Sequence, residues 1–337
     1  MNILDKLGFT PVRWSDNGLV ILDQRKLPLS EEYLALNSVD DVARAIGLLA
    51  VRGAPLIGIV AAYGLCLLPD PDNDVPFKDA CEKLISSRPT AVNLPWAVER
   101  MILVRNRHKE NPDLKNLMLS EARAIHNEDA MMCEKIGTIG NEIVPHNCQI
   151  LTHCNAGALA TGGIGTALGV IYTAFFYGKS VQVWVDETRP VLQGSRLTAW
   201  ELSRAKVPYK VIVDNMAGRL MADGKVDLVI TGADRIANNL DFANKTGTYA
   251  LAVLASYHKI PFYCAAPSST FDPECPGGAS IPIEYRNEDE IRILNGSQST
   301  PFGADVYNPG FDITPHSLIC GIITEKGIVR PWDHRGL

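Results

Sequence analysis

The chain has 337 residues, which is long for one hydrophobic core and predicts two domains. Hydrophobic residues make up 46% of the sequence and charged residues 21%, as is typical of a globular enzyme. A formal net charge of −6 without a Lys/Arg block argues against nucleic-acid binding, so a bound anion would need a local cluster of cations.

The cysteines and the amino terminus predict where the protein resides. The 8 cysteines are scattered, with no C-x-x-C pair and no Cys/His spacing that indicates a zinc site. Several lie in apolar runs, as reduced core thiols do. Residues 1–8 carry charges and lack the apolar stretch of a signal peptide. We therefore expect a cytoplasmic protein that binds no metal.

The first part of the chain predicts a small hairpin followed by helices. Residues 1–40 contain short alternating runs broken by an Asp-Asn-Gly turn, which is typical of a β-hairpin. A helix should begin after Ser38, a suitable N-cap that is followed by acidic residues. Residues 51–58 predict a turn that leads into an apolar helix over residues 59–68. Arg52 is an isolated charge there, as expected either of a solvated helix end or of a binding site.

A second turn of the same kind precedes the helical middle of the chain. Residues 86–93 place Arg88 among hydroxyl side chains, ahead of a helix that begins near Leu94. Residues 94–140 are predicted to be largely helical and amphipathic, and to link the two halves. We expect a domain boundary near residue 130, with a hairpin and helical domain over 1–130 and an α/β domain over 131–337.

From residue 149 onward, strand patterns alternate with helix patterns. This alternation predicts a mainly parallel sheet with helices on both faces. The predicted strands cover residues 149–154, 181–186, 209–213, 226–232, 261–265 and 319–324, and the predicted helices cover 161–177, 195–206, 216–223 and 246–258. Ligands bind such sheets at the carboxyl ends of the strands. The polar or reactive residues expected there are Cys154, Asp186, Glu187, Asp214, Asn215 and Asp234.

The uncharged stretch over residues 155–178 allows two other interpretations. It is long enough to span a bilayer, but Gly, Ala and Thr dominate it and strand-like runs follow, which favours a buried helix. Gly163, Gly165 and Gly169 suggest a dinucleotide loop, with Asp186 as the ribose-binding acid. Their spacing is G-x-G-x-x-x-G, however, and they fall inside the predicted helix, where we expect them to permit close packing on the sheet. We therefore expect no cofactor.

Cys154 and Asp234 are the candidate reacting groups. Asp234 follows a strongly apolar run, so burial should raise its pKa and suit it to act as a general acid. A following helix N-terminus would favour the thiolate of Cys154, whereas an apolar pocket would oppose it. Taken singly, the aspartate fits a turn or a helix cap and the cysteine an inert core thiol. At neighbouring strand ends they form an acid/base pair with separable roles.

Lys245 is a candidate phosphate ligand. It stands just before a predicted helix start, beside Gly247 and Thr248, where a cation and free backbone donors would meet. Together with Arg52 and Arg88 it would form an anion pocket of three cations in an otherwise acidic protein.

Six segments spread over nearly the whole chain are highly specific in combination. They are Val51-Arg-Gly-Ala-Pro, Arg88-Pro-Thr-Ala-Val-Asn, Thr152-His-Cys-Asn-Ala-Gly, Asp186-Glu-Thr-Arg-Pro-Val-Leu-Gln-Gly-Ser-Arg-Leu-Thr-Ala-Trp-Glu-Leu, Gly232-Ala-Asp-Arg-Ile and Ala243-Asn-Lys. With these segments the chain resembles one family, the methylthioribose-1-phosphate isomerases of methionine salvage.

The resemblance implies an aldose–ketose isomerase acting on a small sugar phosphate. It implies a small mixed α+β N-terminal domain and a Rossmann-like, doubly wound, mainly parallel C-terminal catalytic domain, commonly paired as a homodimer. Cys154 and Asp234 are implied as the catalytic pair. The implied substrate-binding residues are Arg52, Gly53, Ala54, Arg88, Gln193, Asn244 and Lys245.

The family's substrate accounts for the pairing of a thiol with an acid. The anomeric oxygen of an aldose 1-phosphate is esterified, so the ring opens only if an acid, here Asp234, protonates the ring oxygen. The hydrogen at C2 then reaches C1 either as a proton removed by Cys154 or as a hydride, with the thiol stabilising the cationic intermediate.

Related families and one sequence difference leave alternatives open. Ribose-1,5-bisphosphate or 5-deoxyribose-1-phosphate isomerases would share the reaction class. Regulatory subunits of the translation-initiation exchange factor share the architecture, but would not be expected to keep Cys154 and Asp234 with all three cations. The family usually has glycine where Leu240 stands here, which predicts a different loop path if that glycine has a positive φ.

Overall fold

The computed structural model describes residues 3–15, 18–88 and 92–331. Residues 16–17 of the predicted hairpin turn and residues 89–91 of the turn after Arg88 lie outside these ranges, as do residues 332–337 of the predicted C-terminal domain.

The N-terminal part combines a small antiparallel sheet with a group of helices. Ser38 Oγ accepts a hydrogen bond from the Asp41 backbone at 3.1 Å, which confirms the predicted N-cap. The helix predicted from residue 59 instead begins at Ala54, because Pro55 suits the first turn of a helix. The elements are α1 (Ile3–Leu7), β1 (Val12–Ser15), β2 (Gly18–Leu22), β3 (Tyr33–Leu36), α2 (Val39–Gly47), α3 (Ala54–Leu65), α4 (Asp74–Ser86), α5 (Asn93–Arg107) and α6 (Leu114–Asn141).

The C-terminal part contains the predicted alternation of strands and helices. Each predicted strand is present with its bounds shifted by a few residues. The elements are β4 (Asn147–Thr152), α7 (Ala167–Phe176), β5 (Ser180–Asp186), α8 (Ala199–Arg204), β6 (Tyr209–Ile212), α9 (Ala217–Ala222), β7 (Leu228–Thr231), β8 (Arg235–Ala237), β9 (Phe242–Lys245), α10 (Thr248–His258), β10 (Phe262–Ala265), β11 (Phe271–Asp272), α11 (Asp289–Arg292), β12 (Ile293–Leu294), β13 (Ser297–Gln298), β14 (Phe311–Thr314), β15 (Gly321–Thr324) and β16 (Gly327–Val329).

The main sheet has seven strands in the order β16-β15-β10-β7-β4-β5-β6. All its neighbouring strands are parallel except β15 and β16, which confirms the predicted mainly parallel α/β fold. Counted along the chain, the parallel strands follow the 3-2-1-4-5-6 order of dinucleotide-binding sheets. The chain leaves β4 and β7 towards opposite edges, so a crevice opens between their carboxyl ends. Cys154 follows β4 and Asp234 follows β7.

A second sheet, in the order β11-β8-β9-β14, was not predicted. Its strands have two to four residues each and lack a clear alternation of polar and apolar side chains. Its strands β8 and β9 directly follow β7 in the chain, and β9 carries Asn244 and Lys245.

The helix predicted over residues 161–177 is shorter than expected. It begins at Ala167, and residues 155–166 form a loop with a single 3₁₀ turn. The expectation that Gly163 and Gly165 lie inside the helix is therefore wrong. Gly165 has φ 92° and packs against Gly157, whose Cα would lie 2.4 Å from a Cβ at Gly165, so these glycines let the loop fold back on itself.

Helix α6 runs across residue 130, the predicted domain boundary. The division into two domains at this residue stays a prediction. Its first half, with Met118 and Ile125, belongs to the apolar core of the N-terminal helices. Its second half, with Ile136, packs against α7 in the core of the sheet domain. Within the described ranges, no helix is both long and apolar enough to cross a membrane.

Candidate active site

All nine predicted site residues line one cavity at the crevice between β4 and β7. The cavity encloses about 730 Å³, part of which is open to solvent. Its lining comes from both halves of the chain and includes Arg52, Gly53, Ala54, Arg88, Cys154, Gln193, Asp234, Asn244 and Lys245.

Cys154 is held in a left-handed conformation with φ 63°, which is uncommon for a residue with a side chain. Its backbone N–H donates to Thr188 Oγ1 at 2.8 Å, and its carbonyl accepts from Thr198 Oγ1 at 2.6 Å. Burial raises the pKa of the thiol, although Arg52 and Lys245 oppose the shift. The expected help from a helix N-terminus is missing, since α7 begins only at Ala167, and the neutral thiol is favoured.

Asp234 has the protonation behaviour predicted for an acid. Its backbone N–H donates to the Ala243 carbonyl at 2.9 Å, which ties it to β9. Burial raises the pKa of its carboxyl, while the charges of Lys245, Arg88 and Arg52 lower it only in part. A carboxyl in this setting retains its proton to a higher pH than an exposed aspartate does.

Arg52 is fixed by two hydrogen bonds to Asn155. Its Nη1 donates to Asn155 Oδ1 at 2.6 Å, and its Nη2 donates to the Asn155 carbonyl at 2.7 Å. The amide nitrogen of Asn155 in turn donates to Glu201 Oε1 at 2.8 Å. The orientation of this cation is therefore set from the sheet domain.

Glu201 is a supporting residue to which the sequence analysis gave no role. Its carboxylate is fully buried and also accepts from Ala158 N at 2.8 Å, Leu159 N at 3.2 Å and the Tyr172 hydroxyl at 3.2 Å. It thus uses the backbone donors of the loop after β4. The signal in the sequence was an acid between two apolar residues, Trp200 and Leu202, of a predicted helix.

The backbone before α3 requires glycine at position 53, both for its conformation and for its close approach to Ala160. It has φ 97°, and a Cβ there would lie 2.5 Å from both Cα and O of Ala160. We expect Gly53→Ala to lower the free energy of unfolding by about 1–3 kcal/mol and to raise KM, since Arg52 would move. Chemical denaturation and steady-state kinetics measure both effects.

Gly47→Ala is the matched control for that change. Nothing lies within 4 Å of a Cβ at Gly47, which ends α2. This substitution should leave KM unchanged and alter stability by no more than about 1 kcal/mol. Equal effects of the two substitutions would contradict the close approach at Gly53.

Lys245 differs from the prediction in its surroundings. It is the last residue of β9, it is buried, and its Nζ donates to the Gly310 carbonyl at 2.7 Å. The expected free donors at the start of α10 are already used, because Gly247 N and Tyr249 N donate to the Asp312 carboxylate at 2.6 and 3.1 Å. Burial lowers the pKa of Lys245, whereas the charges of Cys154 and Asp234 raise it in part. Its side chain, not the helix start, faces the cavity.

Arg88 shares a carboxylate with a further cation that the sequence analysis missed. Its Nε lies 3.5 Å from Glu284 Oε2, and Arg286 Nη1 lies 2.8 Å from Glu284 Oε1. Arg286 also lines the cavity, which brings the basic side chains that the described part of the chain places there to four. Arg286 was missed because it lies in a segment that matched no motif and reaches the cavity only through the fold.

Gln193 and Asn244 add uncharged polar groups to the lining. Asn244 Nδ2 donates to Thr248 Oγ1 at 2.9 Å. Gln193 is buried, and within the described residues its Oε1 has no hydrogen-bond partner. A buried acceptor of this kind suits a ligand hydroxyl.

His153, Asp186 and Asp214 come close enough to consider a metal ion. Both ring nitrogens of His153 already face oxygen acceptors at 3.0 Å. Both carboxylate oxygens of Asp214 accept backbone N–H groups, those of Thr188 and Arg189. Both ring nitrogens of His153 and both oxygens of Asp214 are thus already hydrogen-bonded, and within the described residues Asp186 Oδ1 is the cluster oxygen that has no partner, so the cluster fits a hydrogen-bond network better than a metal site.

Leu240 does not need the different loop path that was expected where the family usually has glycine. It has φ 70° and is buried, so it adopts the left-handed conformation in place of a glycine. Burial of its side chain in the core of the sheet domain offsets the backbone strain.

The sequence and the fold are similar to those of known proteins. Residues 50–331 match the initiation factor 2 subunit family. The methylthioribose-1-phosphate isomerases of Caldicellulosiruptor saccharolyticus and Carboxydothermus hydrogenoformans are 52% and 51% identical to this chain, each alignment covering 94% of this chain and 95% of the relative.

Two solved structures have the same fold. The 5-methylthioribose 1-phosphate isomerase of Pyrococcus horikoshii is 42% identical, with a TM-score of 0.89 over 98% of this chain and 96% of that one. A protein from A. fulgidus described as translation initiation factor eIF-2B subunit delta is 41% identical, with a TM-score of 0.83 over 96% of each chain. On the identity and coverage of its relatives, the chain belongs to the methylthioribose-1-phosphate isomerase family.

Proposed function

We propose that this protein isomerises 5-methylthioribose 1-phosphate to 5-methylthioribulose 1-phosphate, an aldose–ketose step of methionine salvage. The observation that carries the proposal is the pairing of Cys154 and Asp234 at adjacent strand ends, in a cavity with the cations Arg52, Arg88 and Lys245. The names of the relatives support the same substrate.

Asp234 acts as the acid that opens the ring. Its proton goes to the ring oxygen while the bond between that oxygen and C1 breaks. The raised pKa of Asp234 supports this role, because the carboxyl must be protonated before the substrate reacts.

The cations bind the phosphate, and the amide side chains bind the sugar. Charge-assisted hydrogen bonds from Arg52, Arg88 and Lys245 suit a phosphate dianion. The buried Oε1 of Gln193 suits a sugar hydroxyl. Gly53 and Ala54, at the start of α3, line the cavity beside Arg52.

Cys154 assists the transfer of hydrogen from C2 to C1. Two routes are consistent with a thiol at this position. In one route Cys154 removes the C2 proton and an enediol-phosphate-like species forms. In the other route the hydrogen migrates as hydride, while the thiol stabilises the cation. The raised pKa of Cys154 makes a resting thiolate base unfavourable.

The experiment that tests this function is a ³¹P NMR time course with the purified, EDTA-treated protein. Its substrates are 5-methylthioribose 1-phosphate and, separately, ribose 1,5-bisphosphate. We expect selective conversion of the thiomethyl sugar, and the EDTA treatment tests the prediction that the reaction needs no metal.

A second candidate is supported by the name of the relative from A. fulgidus, which is a translation initiation factor subunit. A non-catalytic subunit of that kind would convert neither sugar while remaining folded. Conversion of ribose 1,5-bisphosphate alone would instead indicate another sugar-phosphate isomerase.

We also propose that the protein is a cytoplasmic homodimer. The pairing follows the family resemblance, and sedimentation equilibrium of the purified chain tests it. The cytoplasmic location is supported by the cysteines, since all eight are free thiols.

Arg88→Ala should chiefly weaken substrate binding. Loss of a charge-assisted hydrogen bond to phosphate costs about 1.5–3 kcal/mol, which corresponds to a KM higher by about 10- to 150-fold. Arg100→Ala is a suitable control, because Arg100 pairs with Glu121 and Glu128 outside the cavity. Unchanged KM and kcat/KM in Arg88→Ala would exclude Arg88 from phosphate binding.

A further inference from the structure

His153 connects the strand end that carries Cys154 with the turn that follows Lys245. Its ring is buried between the two. Nδ1 lies 3.0 Å from Asp186 Oδ2, and Nε2 lies 3.0 Å from the carbonyl oxygen of Thr246. His153 directly precedes the thiol in the chain, and Thr246 directly follows the lysine.

The Thr246 carbonyl only accepts, and the Asp186 carboxyl, whose pKa burial raises to about 6, accepts at pH 7, so both ring nitrogens must donate there. A neutral imidazole has only one N–H, whereas an imidazolium has two. Burial alone would lower the pKa of His153, but the hydrogen bond to Asp186 and the charges of Asp186 and Asp214 raise it overall. The carboxylate of Asp312, on β14, also acts on the ring. The surroundings therefore favour the doubly protonated ring that the two contacts require.

The ring is in direct contact with the turn after Lys245. Gly247 has φ 112°, and a Cβ there would lie 2.8 Å from Cε1 of His153. Only glycine allows the turn to approach the ring so closely. Thr188 Oγ1 connects Asp186, the other partner of the ring, to the residue that carries the thiol. It accepts a hydrogen bond from Cys154 N at 2.8 Å and donates one to the Asp186 carbonyl at 2.9 Å.

We propose that His153 is a positioning residue whose ring, held between Asp186 and the Thr246 carbonyl, sets the separation of the Cys154 thiol and the Lys245 ammonium. The inference rests on the proposed function, because it assigns a role within the same site. Lys245 anchors the phosphate and Cys154 acts at C2, so their separation determines whether the sugar carbons reach the thiol. A misplacement of about 1 Å at such a site can reduce the rate about 10²-fold.

Three variants and one spectrum test the role. His153→Gln has one amide group that donates, so it cannot donate to both acceptors, and kcat should fall by about 10- to 100-fold with KM within a few-fold of the wild type. Asp186→Asn preserves the bridge with a neutral ring, because the asparagine N–H can donate to Nδ1 while Nε2–H donates to Thr246. Asp186→Asn should therefore keep kcat within a few-fold of the wild-type value.

His126→Gln is the matched control. His126 is also partly buried and contacts the Tyr63 hydroxyl and the Gly162 carbonyl at 3.2 Å, but it lies outside the cavity lining. The His126→Gln substitution should lower Tm without changing kcat or KM. A purely structural role for His153 would give the same pattern as this control and would overturn the proposal.

The ¹⁵N spectrum of histidine-labelled wild-type protein gives an answer that does not depend on the folding of a variant. At pH 7 we expect the His153 ring to have two protonated nitrogens. A neutral His153 overturns the positioning role alone. Equal losses of kcat in His153→Gln and Asp186→Asn would also overturn it, because charge rather than the bridge would then matter. An inactive wild type would instead mean that the proposed function fails.

Discussion

Asp234→Asn is expected to lower kcat by about 10²- to 10⁴-fold while leaving KM within a few-fold, the usual cost of removing one positioned acid. The amide has nearly the shape of the carboxyl, so the binding of the phosphate by the cations should persist. Without a proton to give to the ring oxygen, the bond from that oxygen to C1 breaks slowly. Steady-state kinetics with 5-methylthioribose 1-phosphate measures the change.

The pH profile provides an independent check on Asp234. Since burial raises its pKa, the carboxyl stays protonated to higher pH and loses its proton as the pH rises through that value. The wild-type kcat/KM should therefore fall on the alkaline side of this pKa, and Asp234→Asn should lack that fall. Asp227→Asn is the control: Asp227 precedes β7 at its opposite end and accepts from Gln149 N at 2.8 Å. Activity of Asp234→Asn within a few-fold of wild type would exclude Asp234 as the acid.

Cys154→Ala should reduce kcat by a comparable factor, about 10²-fold or more, whichever of the two routes the hydrogen takes. The thiol either removes the C2 proton or stabilises the cation beside it, and alanine can do neither. Cys148→Ala is the matched control, because Cys148 is a buried thiol in the same strand β4, before its carboxyl end. Near-normal turnover in Cys154→Ala would show that the thiol is not needed.

Substrate deuterated at C2 separates the two routes in the wild type. Proton removal by the thiol allows exchange with water before C1 is reprotonated, so part of the label is lost. Hydride migration carries the deuterium to C1 without loss. NMR of the product at C1 measures the retained fraction.

Sequence reasoning found the residues that follow long apolar strands. Cys154 and Asp234 stand after strands that are buried on both faces, and this produces a pattern that a single sequence reveals. The parallel sheet follows from the same runs. Strand order was not predicted, because it depends on how distant segments pair.

Residues whose roles depend on distant partners were harder to identify. Glu201 reaches Asn155 across 46 positions, and Arg286 reaches the cavity from a segment of irregular structure. Residues 161–166 were predicted as helix because they are uncharged and rich in glycine, whereas the close backbone approach at Gly165 requires a loop. The backbone N–H groups at the helix start after Lys245 were expected to be free, because Asp312, which accepts their hydrogen bonds, is remote in the chain.

The two internal carboxylates, Glu201 and Asp312, have a consequence for how phosphate binds. Glu201 accepts hydrogen bonds from backbone N–H groups in the loop after β4, where sheets of this strand order commonly bind a nucleotide, and Asp312 accepts those at the start of α10. We therefore expect side chains to bind the phosphate, and the cations of the cavity come from both halves: Arg52 and Arg88 from one, Lys245 and Arg286 from the other. We expect a phosphate bound by these cations to contact both halves of the chain, and its binding to stabilise the folded protein by mass action.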